Sequence, residues 1–260
     1  MLRSLWISKT GMEAQQLQLD TISHNLANVA TTGYKRAHAE FTDLIYQNLR
    51  QSGAASSDQT QLPTGLQVGL GVMPVATARD FSQGSLQQTG GNLDVAIQGN
   101  GFLQVTMPDG TTAYSRDGSL KLDANGQLVT SSGYAIQPGI TIPAQAQSVT
   151  IAPDGTVSAS MPGTATPQTL GQIQLANFPN TGGLDPKGDN LWAETASSGN
   201  PTTGAPGSTG MGKLQQGFLE TSNVNVVEEL VSMITTQRAY ELNSKAIQTS
   251  DQMLQRLGQL

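Results

Sequence analysis

Apolar residues recur along the first thirty positions at the spacing of an α-helix. From Leu5 they return at Met12, Leu19 and Leu26, with Ile22 and Val29 filling the second position of the later heptads. This is a stripe of alternating three- and four-residue steps along one side of a helix. Its early part is weaker, because Ser8 and Gln15 hold the matching places. The far end repeats the design, with Val226, Met233, Tyr240, Ile247 and Leu254 falling every seven residues. Asn225 stands where an N-cap belongs, with Glu228 three residues on, Glu229 adding charge at the favourable end and Glu241 four residues before Lys245. Both ends therefore predict long amphipathic helices. A lone helix is marginal in water, so the two stripes need more than each other. Copies of the same helices in neighbouring chains are the simplest partners.

Between about Phe81 and Phe178 the pattern changes to short alternating runs: VAIQ, FLQVTM, AYS, QLVT, YAIQ, SVTIA, TVSAS and QIQLANF. Each reads as a strand. Turn signals separate them, namely Pro108-Asp109-Gly110, Arg116-Asp117-Gly118, Asn125-Gly126 and Pro153-Asp154-Gly155, where proline presets φ and glycine accepts a positive φ. The predicted class is α+β: long N- and C-terminal helices pairing as a coiled-coil-like domain, with an antiparallel all-β domain inserted between them. The expected boundaries are 1–35 and 224–260 for the terminal helical domain, 36–72 for a connecting arm and 73–223 for the β-rich domain. Within the arm, Gln47 to Leu62 is polar without periodicity and reads as irregular. The span Asp185 to Lys213, rich in Gly, Ser, Thr, Pro and Asn, reads as a loop-like return toward the last helix.

Composition narrows the chemistry. A net charge of -6 with no basic block argues against nucleic acid as a partner. Cys 0 excludes disulfides, thiolate metal sites and a cysteine nucleophile. Leu5-Trp6-Ile7 between Arg3 and Lys9 is too short for the apolar part of a signal peptide, and no run approaches the ~18 apolar residues of a membrane span. The expectation is a chain without membrane insertion, either cytosolic or exported without a cleaved signal.

Catalytic motifs fail one by one. Gly99-Asn100-Gly101 and Gly69-Leu70-Gly71 lack a third glycine in register and a following helix. Around Asp123 and Asn125-Gly126, Lys121 and Ser132 would hold the first and last ligand places of a calcium loop, which defeats it. Asp109, Asp117 and Asp154 are ordinary turn positions, and His24 and His38 lack partner motifs. The expected catalytic, cofactor and metal sites are therefore none.

The run Ser23-His24-Asn25-Leu26-Ala27-Asn28-Val29-Ala30-Thr31-Thr32-Gly33-Tyr34-Lys35 resembles the N-terminal signature of bacterial flagellar rod and hook proteins. His24 departs from it, standing where that family commonly has a second asparagine. The C-terminal runs Glu228-Glu229-Leu230-Val231 and Thr235-Thr236-Gln237-Arg238-Ala239-Tyr240-Glu241 are similar to the other half of the signature. In the middle, Leu93-Asp94-Val95-Ala96-Ile97, Gly99-Asn100-Gly101-Phe102 and Tyr114-Ser115-Arg116-Asp117-Gly118 resemble the family's shared β core. Length, together with the run Leu62 to Val72 and the lead Thr221-Ser222-Asn223-Val224, points to the distal-rod type. The proximal-rod type, a short hook-type subunit and a β-domain carbohydrate-binding module stand as alternatives.

The resemblance implies a structural subunit that polymerises with itself into a hollow, straight shaft carrying torque across the periplasm. Terminal helices would form the inner tube and β domains an outer layer. Implied partners are proximal rod subunits below, hook subunits above, the P- and L-ring proteins around the shaft, and the rod cap and type III export apparatus during assembly. The implied assembly seam is Leu5, Met12, Leu19, Ile22, Leu26, Val29, Val226, Met233, Tyr240, Ile247 and Leu254. The implied helix exit is Asn25, Asn28, Thr31, Thr32, Gly33, Tyr34 and Lys35, with Gly33 turning the chain out of the helix and the polar arm opposing sliding between neighbouring subunits.

Overall fold

The computed structural model describes residues 2–51, 55–57, 60–61, 64–163 and 166–257. A helix α1 (Leu2–Ala27) opens the described chain and a helix α2 (Val226–Leu257) closes it, with strands between. The class is α+β. The Asn225 side-chain oxygen accepts the Val227 N–H at 3.1 Å, as an N-cap does. Two compact units result: Met1–Leu26, Ala37–Ala78 and Asn225–Leu260 in one, Ala27–Arg36 and Arg79–Val224 in the other.

In the helical unit the arm is built as strand pairs, not as irregular chain. Ala37–Asp43 pairs with Val72–Arg79, Gln47–Arg50 with Leu66–Val68, and Ala55–Ser57 with Thr60–Gln61. This nested antiparallel ribbon replaces the irregular stretch expected at Gln47 to Leu62. Gln47–Arg50 is exposed at every position. A strand with no buried face needs no alternation of apolar and polar residues, so the pattern that betrays strands is missing. Residues 52–54, 58–59 and 62–63, including Leu62 and Pro63 of the family-like run, lie outside the described residues.

The β unit is organised around Phe102–Thr106. One of its edges pairs with Thr112–Ser115; the other is shared between Ala135–Ile136 and Leu175–Asn177, all antiparallel. Beyond Thr112–Ser115 lie Leu191–Ala193 and then Asp185–Gly188. Alternation along Phe102–Thr106 decides the two faces. Leu103 joins one buried cluster with Val95, Ile97, Leu128, Ile136, Ile151, Val157, Ile173, Leu175 and Leu214. Phe102 points the other way, into an aromatic cluster with Tyr114, Phe178, Leu184 and Trp192.

The return expected to be loop-like from Asp185 to Lys213 carries strands. Asp185–Gly188 and Leu191–Ala193 form a hairpin whose connection, Asp189-Asn190, has φ of 51° and 57°. Two successive positive φ values match the twist of a tight antiparallel hairpin, and Asp and Asn tolerate them better than other side-chain-bearing residues. With only Leu191 and Trp192 as sequential apolar residues, the strand signal was too short to read.

Candidate functional site

The helix exit is held by two separate polar arrangements, one in each unit. In the helical unit Asn25, 1% exposed, clips the backbone of Ala37: its Oδ1 accepts the Ala37 N–H at 2.9 Å and its Nδ2 donates to the Ala37 carbonyl at 2.7 Å. Nδ2 also lies 3.4 Å from Glu229 Oε2 on α2. Asparagine alone among small side chains presents a donor and an acceptor side by side, as a backbone does.

Further along the same two helices, a Cβ added to Gly11 would stand 3.0 Å from Asn243 Nδ2. Gly11 and Asn25 lie two heptads apart on α1, as do Glu229 and Asn243 on α2, so the contacts are antiparallel and in one register. Thr236, midway on α2, is buried. These two contacts fall on polar positions two heptads apart, Gly11 and Asn25 against Asn243 and Glu229, while among the described residues the buried apolar side chains of α1 are Ala14 and Ile22. The polar spacing is visible in the sequence, but a search for apolar periodicity passes over it.

In the β unit the exit continues through Asn28, whose side chain accepts from Thr31 Oγ1 at 3.2 Å, and Thr32, whose carbonyl accepts from Asn190 Nδ2 at 2.9 Å. Gly33 has φ +69°, and an added Cβ would lie 2.8 Å from the Arg116 carbonyl carbon and 2.9 Å from the Asp117 nitrogen. Its N–H donates to the Glu220 carbonyl at 2.8 Å. Tyr34 is buried, its ring 5.7 Å from the Arg79 guanidinium.

Lys35 ends the motif in a sealed ionic hub. Lys35 and Glu220 side chains are both 0% exposed and meet at 2.6 Å. Lys35 also donates to the Ser82 carbonyl at 2.7 Å, and Glu220 Oε1 accepts the Gly84 N–H at 2.9 Å. Arg116 Nε stands 3.2 Å from the second Glu220 oxygen, while its Nη1 donates to the carbonyls of Gly99 and Gly101 at 2.8 and 2.7 Å. One carboxylate thus serves two cations. Burial pushes the Lys35 ammonium below its ordinary pKa against the opposing pull of Glu220, and Arg116 is lowered by burial in the same way. Asn223 completes the junction, accepting the Arg36 N–H at 2.8 Å and donating to the Asp80 carbonyl at 2.9 Å. Glu220 and Arg116 as partners of Lys35 were not legible, because the three are far apart in sequence.

Of the eleven seam residues, Ile22 is buried; Leu5, Met12, Leu19, Leu26, Val29, Met233, Ile247 and Leu254 are half-buried; Val226 and Tyr240 are exposed. Another set of large apolar side chains on α2 is open: Val227 70%, Val231 56%, Ile234 49% and Leu242 67% exposed. Their steps of three, four and eight residues place them along one side of the helix. Among the described residues no group of His, Asp and Glu is arranged to hold a metal ion, and no helix is long and apolar enough to cross a membrane.

Three family models match the chain: "Flagella basal body rod protein" over residues 5–35, "Flagellar hook protein FlgE/F/G D1 domain" over 96–159 and "Flagellar basal body rod FlgEFG protein C-terminal" over 215–260. The flagellar basal-body rod protein FlgG of Buchnera aphidicola subsp. Schizaphis graminum is 57% identical over 260 residues, 100% of both chains. Relatives of the same name are 52% identical in Borreliella burgdorferi, covering 98% of this chain and 97% of that one, and 40% identical in Bacillus subtilis, covering 100% and 99%.

Proposed function

The chain belongs to the FlgG family of flagellar basal-body rod proteins, and from that premise we propose that it is a structural, non-catalytic subunit of the distal rod. It polymerises with itself into a hollow, straight shaft that passes torque across the periplasm to the hook. The terminal helices pair in a coiled-coil-like manner and form the inner tube, while the β units form the outer layer. Proximal rod subunits adjoin below and hook subunits above, the ring proteins surround the shaft, and the type III apparatus exports each chain without a cleaved signal to the growing end beneath the cap.

One observation carries this reading. Asn25 of α1 meets Glu229 of α2, whereas Val227, Val231, Ile234 and Leu242 remain exposed on a single side of α2. A helix that leaves several large apolar side chains open along one side has a surface made for other chains. Eight of the implied seam residues, half-buried within one chain, have surface left to bury against copies. The Asn25 clip orders the chain within the helical unit, and the ionic hub orders it within the β unit. The arm's ribbon, which exposes Ile45, Leu49, Leu66 and Val75 as well as polar side chains, supplies lateral contacts that oppose sliding along the axis. Negative-stain microscopy of the full chain at high concentration tests the reading: tubes are expected, and a solution that stays monomeric while folded would refute it.

A further inference from the structure

A pocket of about 390 Å3 lies in the β unit, lined by Phe81, Asn100, Phe102, Arg116, Phe178 and Thr181 among others. That volume is within the ~300–1,000 Å3 typical of small-ligand sites. Arg116 is 5% exposed. Its Nε is turned to Glu220 and its Nη1 to the carbonyls of Gly99 and Gly101. Nη2 makes no hydrogen bond among the described residues, and it is not one of the polar atoms closed to water there. It is the donor that this guanidinium has left to offer the pocket. Asn100, exposed, and Thr181, half-buried, line the same pocket with side chains that make no hydrogen bond among the described residues. No acidic side chain is among the lining residues. The hub to which Arg116 belongs sets two buried cations against the one carboxylate of Glu220. Asp80 also acts on Lys35, but it is shared with Arg36 and its two oxygens are held by Ser82.

We propose that this pocket binds a carboxylate carried on an apolar body. Arg116 Nη2, Asn100 Nδ2 and Thr181 Oγ1 can each donate, and an ionised carboxylate only accepts. A bond from a guanidinium to an anion is about twice as strong as a neutral one, and here it answers the surplus of positive charge in the hub. One free guanidinium nitrogen suits a single negative charge, whereas phosphate calls for more donors and more cations than the pocket holds. Phe81, Phe102 and Phe178 reward an apolar body, which inorganic phosphate lacks. The pocket uses neither terminal helix, so the failure of this proposal would leave the assembly reading untouched.

The test is an amide NMR titration of the full-length chain, held dilute, with sodium benzoate. Separate titrations use benzamide, which keeps the ring and loses the charge, and sodium phosphate, all at an ionic strength matched with sodium chloride. Benzoate is expected to shift the resonances of Asn100, Gly101 and Thr181 and the Arg116 Nε–H to saturation, with benzamide and phosphate binding about tenfold or more weakly. Thr181→Val and Asn100→Ala, which leave the hub intact, should each weaken benzoate binding about threefold with Tm unchanged. A capped Gly-Glu-Gly peptide separates the two sources of the group: binding tighter than benzoate marks an acidic side chain of another protein, weaker binding a free small carboxylate, and either ranking supports the proposal once benzoate has bound. The proposal is overturned if benzoate moves none of these resonances at millimolar concentration, if benzamide or phosphate binds as tightly, or if both variants bind as the parent does.

Discussion

Because one carboxylate balances two buried cations, the three members of the hub are not equivalent, and the asymmetry can be measured. With Glu220→Gln the negative charge is gone, and Lys35 and Arg116 are left with neutral acceptors only, the Ser82, Gly99 and Gly101 carbonyls and one amide oxygen. Both charges then stay in a site where the Lys35 side chain is 0% and the Arg116 side chain 4% exposed. Stranding a buried charge by removing its partner costs about 3–5 kcal/mol. With Lys35→Met the carboxylate keeps Arg116 at 3.2 Å and the Gly84 N–H at 2.9 Å. The loss is then nearer that of a charged hydrogen bond, about 1.5–3 kcal/mol, offset in part by the cost of desolvating the ammonium. At roughly 2–4 °C per kcal/mol for a chain of this size, Glu220→Gln should lower Tm by about 6–20 °C and Lys35→Met by distinctly less. Near-ultraviolet circular dichroism of the buried Trp192 during heating reads the β unit directly. If Lys35→Met cost as much as Glu220→Gln, or if Glu220→Gln moved Tm by less than about 3 °C, the shared-carboxylate argument would fail.

Gly33→Ala should destabilise the β unit by about 2–4 kcal/mol, since it adds a left-handed penalty to a clash with the backbone of Arg116 and Asp117; Gly33→Asn, which tolerates the same φ, should not rescue it, and a rescue would show that backbone angle alone matters. Burial, reinforced by Glu194, pushes the Tyr114 hydroxyl up to about 12 from its ordinary 10. The folded state therefore holds that proton longer than the unfolded one. The stabilisation is complete below pH 10 and is lost as pH rises through 12, so the Tm difference between the parent and Tyr114→Phe should change across that window and stay flat below it. Ile234→Asp, at an exposed position, should abolish assembly in a sedimentation assay with monomer Tm nearly unchanged. Met233→Asp, half-buried, should lower both assembly and Tm; Ile234→Asp chains that assembled normally would remove α2's open face from the interface.

The two helices were legible because their apolar residues repeat over many turns, and the eight central strand runs because alternation and glycine turns agreed. What escaped shares one physical cause: the sequence carries no apolar signature there. Gln47–Arg50 pairs with Leu66–Val68 through backbone alone while its side chains face water. The polar positions Gly11, Asn25, Glu229 and Asn243 make contact through amides and a carboxylate. Nothing local to Lys35 announces Glu220 or Arg116. The family-like motif drew attention to Asn25 and Lys35, but what they hold was written only in the fold. Gly33 was the exception, since a glycine after Thr31-Thr32 at a helix end announces a left-handed turn by its type.

The most direct test of the account is electron cryomicroscopy of the assembled full-length chain, resolved well enough to separate helices from strands. The account predicts a tube whose wall nearest the bore is built of α1 and α2, with Val227, Val231, Ile234 and Leu242 buried against neighbouring copies and the β units outside. A tube lined by the β units, or one in which those four side chains still face solvent, would contradict it.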